Sequence, residues 1–320
     1  MYSTLSTIAD RNFVIGFFIP ALLGIIATLS VFGEGVPYLA SMAKNVQSAK
    51  SLTDLTYFVV TVWTLGVLLS ISNYLIYRIL EGYTPPLAWC GFMRKWHIRC
   101  FRKQRHKAAL LRREWAKALK SKTAFPAQRQ RQLENLRRKL IITYPYIQRE
   151  VKPTFFGNII RAFELYPYQI YGADSIVIWP RIMMVMTKDI QEVVNGARAP
   201  VDCFVNVCMI ANIFVAYGVI SGIISLFLPH MLDWHRCALI AVVALVVSVC
   251  AYLCAVSMAK AWGSAVKSAF DCYLPELAKH LGYALPPDPE KRRAFWTALS
   301  QQVSFNLALD PSKWPQASNP

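Results

Sequence analysis

The sequence predicts an all-α membrane protein, with four transmembrane helices in two hairpins and a helical basic cytoplasmic domain between helices two and three. Three observations predict it. Residues 12–33, 55–77, 203–232 and 237–259 are long runs without Asp, Glu, Lys or Arg, and about 20 apolar residues carry a helix across the hydrocarbon core. None of these runs alternates polar and apolar residues as a barrel strand does, so helix is the form that satisfies their backbone in lipid. The charge is gathered in one place. Residues 94–152 hold 19 Lys and Arg against Glu114, Glu134 and Glu150, which is +16 of the chain's +17.

The domains follow from these runs. Residues 1–80 form the first hairpin, with spans about 13–33 and 55–78. Residues 81–202 form the basic cytoplasmic domain. Residues 203–260 form the second hairpin, with spans about 204–228 and 237–259, and residues 261–320 form a helical cytoplasmic tail. The first run is expected to be a retained span: only Arg11 precedes it, beside Asp10, it is long for a signal peptide, and no Ala-x-Ala follows it. Pro20 lies inside it and predicts a kink. Positively charged flanks stay in the cytoplasm. The loop 78–202 is therefore inside, and paired spans put both termini inside with it. Cys203, Cys208, Cys250 and Cys254 fall in or at the rims of spans, and Cys90, Cys100 and Cys272 on the reducing side, so no disulfide framework is expected. Cys237 would stand alone at the outer face.

Between the hairpins, Pro85-Pro86 ends the second span. Trp89, Met93, Trp96 and Cys100, then Leu111, Trp115 and Leu119, recur every three or four residues with Lys and Arg between them, the pattern of a basic amphipathic helix. Residues 120–122 and Pro126 break it. A second amphipathic helix runs over 127–142 on Leu133, Leu136 and Leu140, and Tyr144-Pro145 ends it. Residues 155–164 read as a short helix and 166–172 as a turn. Residues 175–179 are too short to span and read as a strand or an interfacial segment. Pro180 opens a helix to about Arg198, and Pro200 separates or bends it from the third span. Beyond the fourth span the helical pattern continues through Phe270 and Leu274. Asp288, Pro289 and Glu290 have the chemistry of a helix start, for a helix to about Gln302. The last ten residues are expected to be loose.

The basic segment admits three roles. Anionic phospholipid attracts juxtamembrane Lys and Arg, and Trp and Phe settle at interfaces; the residues are Arg94, Lys95, Trp96, Arg99, Arg102, Lys103, Arg105, Arg112, Arg113 and Trp115. Nucleic acid is the second role, but no recognised motif supports it and it is not the partner expected. Fixing orientation is the third, and 19 positive charges exceed what orientation needs. Cys90, His97, Cys100 and His106 contain metal-ligating types, yet their spacing lacks the close pairs of a zinc site, so no metal and no cofactor is expected. Cys250 and Cys254 share a helix face as small apolar residues. Gly218-x3-Gly222 is a close-packing motif, serving either a homo-oligomer or contact between spans.

Thr61, Thr64, Ser70, Asn206 and Asn212 are among the polar residues inside the runs, and no Asp, Glu, Lys, Arg or His lies mid-span, which argues against an ion-coupled carrier. Arg161, Glu164, Asp174, Arg181 and Asp189 flank the aromatic stretch 166–179 and read as a salt-bridged core of the basic domain, with a small-ligand site as the alternative. No nucleophile elbow, zincin, Walker or dinucleotide motif is present.

Residues 153–181 (PTFFGNIIRAFELYPYQIYGADSIVIWPR), 269–296 (AFDCYLPELAKHLGYALPPDPEKRRAFW) and 11–20 (RNFVIGFFIP) resemble segments of uncharacterised bacterial multi-pass inner-membrane proteins and cover about a fifth of the chain. The resemblance implies a bacterial inner-membrane location and carries no activity. The expected function is non-enzymatic: an integral membrane scaffold or sensor whose basic domain docks on anionic lipid or a protein partner. An oligomeric pore is the alternative, and a membrane-bound enzyme acting on lipid the second alternative.

Overall fold

The computed structural model describes residues 10–32, 52–227, 233–307 and 309. All regular elements among them are helices: α1 (Arg11–Phe32), α2 (Leu52–Glu81), α3 (Gly91–Lys120), α4 (Ala127–Thr143), α5 (Phe155–Glu164), α6 (Tyr166–Tyr171), α7 (Ser175–Val185), α8 (Lys188–Phe227), α9 (Trp234–His280) and α10 (Pro289–Phe305). Four of them, α1, α2, α8 and α9, are long and apolar enough to cross a membrane. Most of the predicted outer loop, much of the outer turn and the last ten residues lie outside the described residues.

The chain divides into two compact units, Met1–Arg78 with Asn195–Met258 and Ile79–Val194 with Ala259–Pro320. The first unit takes α1, most of α2 and the apolar parts of α8 and α9. Its core is small and interlocked. Ala21, Ile25 and Val62 are buried together, with Phe18, Leu22, Phe58 and Leu65 around them. Glycines set the closest approaches. A Cβ on Gly24 would lie 3.2 Å from Ile210 of α8, and one on Gly218 would lie 2.8 Å from backbone atoms of Cys237 and Ala241 in α9. Outward positions such as Ile71, Tyr74, Leu226 and Leu239 are exposed and apolar, as lipid-facing positions must be.

Helix α1 is irregular in the turn before Pro20. Residues Val14–Phe18 are wound as a π-helix, a form that recurs at functional positions. Pro20 has no N–H, so this stretch is one helical donor short. Asn206 of α8 adds a donor there, its Nδ2 giving a hydrogen bond of 3.1 Å to the Gly16 carbonyl.

The second unit packs α3–α7 and α10 with the first residues of α8 and the end of α9. Phe156, Ile159, Ile178, Ile182, Phe270, Leu274, Phe295 and Trp296 form its buried interior. Thr154 caps α5 by accepting from Gly157 N, and its hydroxyl donates to Leu80 O. Asp288 caps α10 by accepting from Glu290 N, with Pro289 in the first turn.

Two expectations for this region fail. Residues 166–171 are a helical turn, begun by Pro167 and closed by Gly172 at φ +80°. Residues 175–185 are one helix with Pro180 inside it. They are neither a strand nor an interfacial extended piece, because Asp174 caps the segment by accepting from Ile176 N. A further difference concerns Pro200, which lies within the continuous 40-residue α8 and does not divide it.

Candidate basic face and buried polar cluster

Helices α3 and α4 pack antiparallel: Ala108 and Leu111 meet Leu133 and Leu136, while Phe101 meets Tyr144. This apolar seam turns the remaining faces of α3 outward. Arg94, Lys95, Trp96, Arg99, Arg102, Lys103, Arg105, Arg112, Arg113 and Trp115 are all exposed. Four of them also make local contacts. The Trp96 ring meets that of Phe155 edge-on at 5.7 Å. Arg94 donates to Val151 O and Arg149 O, at 2.9 Å each. Arg102 donates to Gln148 Oε1. Arg105 lies over the Phe101 ring. Lys95, Arg99, Lys103, Arg112 and Arg113 pair with no carboxylate among the described residues; the ion pair on this surface is Glu114 with Arg129 of α4. Trp89, Phe92 and Leu119 extend the exposed apolar content of the same segment.

The cysteine and histidine side chains do not converge: among the described residues no three His, Cys, Asp or Glu groups are placed to hold a metal. His97 faces inward. Its ring centroid is 4.5 Å from that of Phe155 and its Nδ1 is 3.4 Å from Tyr144 Oη. Burial pushes the His97 pKa down to about 4 and that of Tyr144 up to about 12. The charged residues around 166–179 do not form one ring either. Arg161 pairs with Glu150 and Glu164, Arg181 bonds Val177 O within α7, and Tyr166 and Tyr171 both donate to Asp271.

Pro20, Gly218 and Gly222 serve packing. Gly218 lies against α9 of its own chain, and a Cβ on Gly222 would meet Cys237 at 3.7 Å. Pro20 is also in the wall of an apolar groove of about 450 Å³ among α1, α8 and α9.

Sequence reading misses one cluster. It assigns Asp202 to the basic loop, but Asp202 lies inside α8 and is buried. Its Oδ1 accepts from Asn73 Nδ2 at 3.0 Å and from Tyr77 Oη at 2.7 Å. Its Oδ2 faces Arg198 Nε at 3.4 Å. Asn206 donates to Asp202 O at 2.8 Å as well as to Gly16 O. The available signal is spacing. Arg198, Asp202 and Asn206 recur every fourth residue at the entry to an uncharged run, as Asn73 and Tyr77 do at the exit of another, and such residues share a helix face.

Comparison with protein-family models, with curated proteins and with solved structures finds no match.

Proposed function

We propose that this protein is a membrane-anchored docking protein of the bacterial inner membrane. Its α3–α4 pair, on the cytoplasmic side, engages anionic phospholipid. The observation that carries this reading is the exposed, acid-poor side of α3, where Lys95, Arg99, Lys103 and Arg113 have no carboxylate partner among the described residues and Trp96 stands beside them. Each basic residue near an anionic surface contributes about 1 kcal/mol, so the four supply roughly 4 kcal/mol at low salt. The oligomeric pore has less support, because Gly218, its candidate contact, is packed against Cys237 and Ala241 of the same chain.

The test uses the full chain in nanodiscs of neutral or of part-anionic phospholipid. Amide exchange across α3 should slow in the anionic discs and recover at high salt. Replacing Arg99, Arg102, Lys103 and Arg105 together by Gln should shrink the difference between the discs. Equal exchange in both lipids would sink the lipid reading and leave a protein partner.

A further inference from the structure

Asp202 sits among oxygens that lack donors. Asn73 Oδ1 and Asn206 Oδ1 are buried and accept no hydrogen bond, on residues that are 5% and 0% exposed. Flipping the amides does not cure this. A flipped Asn73 would set its oxygen against the Asp202 carboxylate, and a flipped Asn206 would set its oxygen against the carbonyls of Gly16 and Asp202. Native structures rarely leave such acceptors empty.

Two further oxygens belong to the same group. The Asp202 carboxylate accepts from Asn73 and Tyr77 and faces Arg198. The Gly16 carbonyl, in the π-wound turn, takes a bond from Asn206. The chain therefore gathers carboxylate, amide and carbonyl oxygens beside an irregular helix. Broken helices in membranes coordinate small cations with such oxygens.

We propose that Gly16, Asn73, Asp202 and Asn206 form a binding site for one alkali cation. Charge sets the valence. A single carboxylate already shared with Arg198 suits a monovalent ion, whereas Ca²⁺ takes six to eight oxygens, commonly with several carboxylates. Arg198 is the natural competitor. Its contact with Asp202 is the longest of the three, and its side chain is 47% exposed, so the cation displaces or loosens it.

The test is the thermal midpoint of the full-length protein in detergent, in NaCl, KCl, LiCl or choline chloride at equal ionic strength. At least one alkali salt should raise the midpoint saturably over choline, on the order of 3 °C. Asp202→Asn keeps an acceptor for Asn73 and Tyr77, and should abolish the rise. Arg198→Gln removes the competing charge and should lower the half-saturating concentration about fivefold or more; a purely structural cluster would not tighten. Equal midpoints in alkali and choline salts would mean that water serves these oxygens, and the proposal fails. It fails also if Asp202→Asn responds like the parent. Should Asp202→Asn not fold, the Arg198→Gln titration decides, and unchanged or weaker binding overturns the site.

Discussion

Buried beside Tyr144 and Phe155, His97 is a base kept neutral. Its pKa lies at about 4, against an ordinary value of 6.5. The unfolded chain takes up a proton below pH 6.5, while the folded chain resists until about pH 4. Stability is therefore full above pH 6.5 and falls between pH 6.5 and 4, by on the order of 2 kcal/mol. A thermal midpoint that drops less between pH 7.5 and pH 5 in His97→Phe than in the parent is the expected outcome, with the pH chosen around the ordinary histidine value. Two glycines give a paired prediction. A Cβ on Gly157 would stand 2.2 Å from Glu81 O, whereas one on Gly91 meets nothing within 4 Å. Gly157→Ala should cost about 2 kcal/mol or more, and Gly91→Ala should stay within about 0.5 kcal/mol of the parent, in denaturant titrations of the two variants. None of this was legible residue by residue. Asp202 reads as a loop acid because its partners Asn73 and Tyr77 lie 129 and 125 positions away, and only the tertiary fold brings them together.

Among the elements, those with a strong period or cap were readable. The leucine stripe of α4 and the Asp288 cap of α10 stand where the residues put them. Residues 175–185 were not readable as a helix. Four apolar residues before a proline carry no periodicity, and the deciding feature is one hydrogen bond from Ile176 N to the Asp174 side chain. The α3–α4 seam separates packing from charge as its source of stability. Leu111 is buried there, and Leu111→Ala should cost about 2–4 kcal/mol. Glu114→Gln removes an exposed ion pair with Arg129 and should cost no more than about 1 kcal/mol. Chemical unfolding of the two variants in detergent checks the ranking, and a larger loss from Glu114→Gln would contradict it.

For the whole molecule, the sequence declared the class through four uncharged runs, and four helices of the required length answer to them. It could not declare where the units divide, because α8 and α9 continue past their apolar parts without a break, over 40 and 47 residues. The concentration of Lys and Arg in residues 94–152 predicts an orientation. A fluorescent reporter on the C-terminus should be bright in a bacterial host, and an alkaline phosphatase fused there should be inactive. The reverse result would place the basic segment outside.

The bond from Asn206 to the Gly16 carbonyl also sets an order of events during synthesis. Its two residues are 190 positions apart. At about 5–20 residues per second, the ribosome needs roughly 10 to 40 s to travel from one to the other. For that interval α1 lacks its bond from α8, beside a proline that gives its own helix no donor, in a solvent with none to lend. Helix α1 is thus completed only once α8 has been made, and a nascent chain halted before α8 should hold α1 less firmly than the finished protein does.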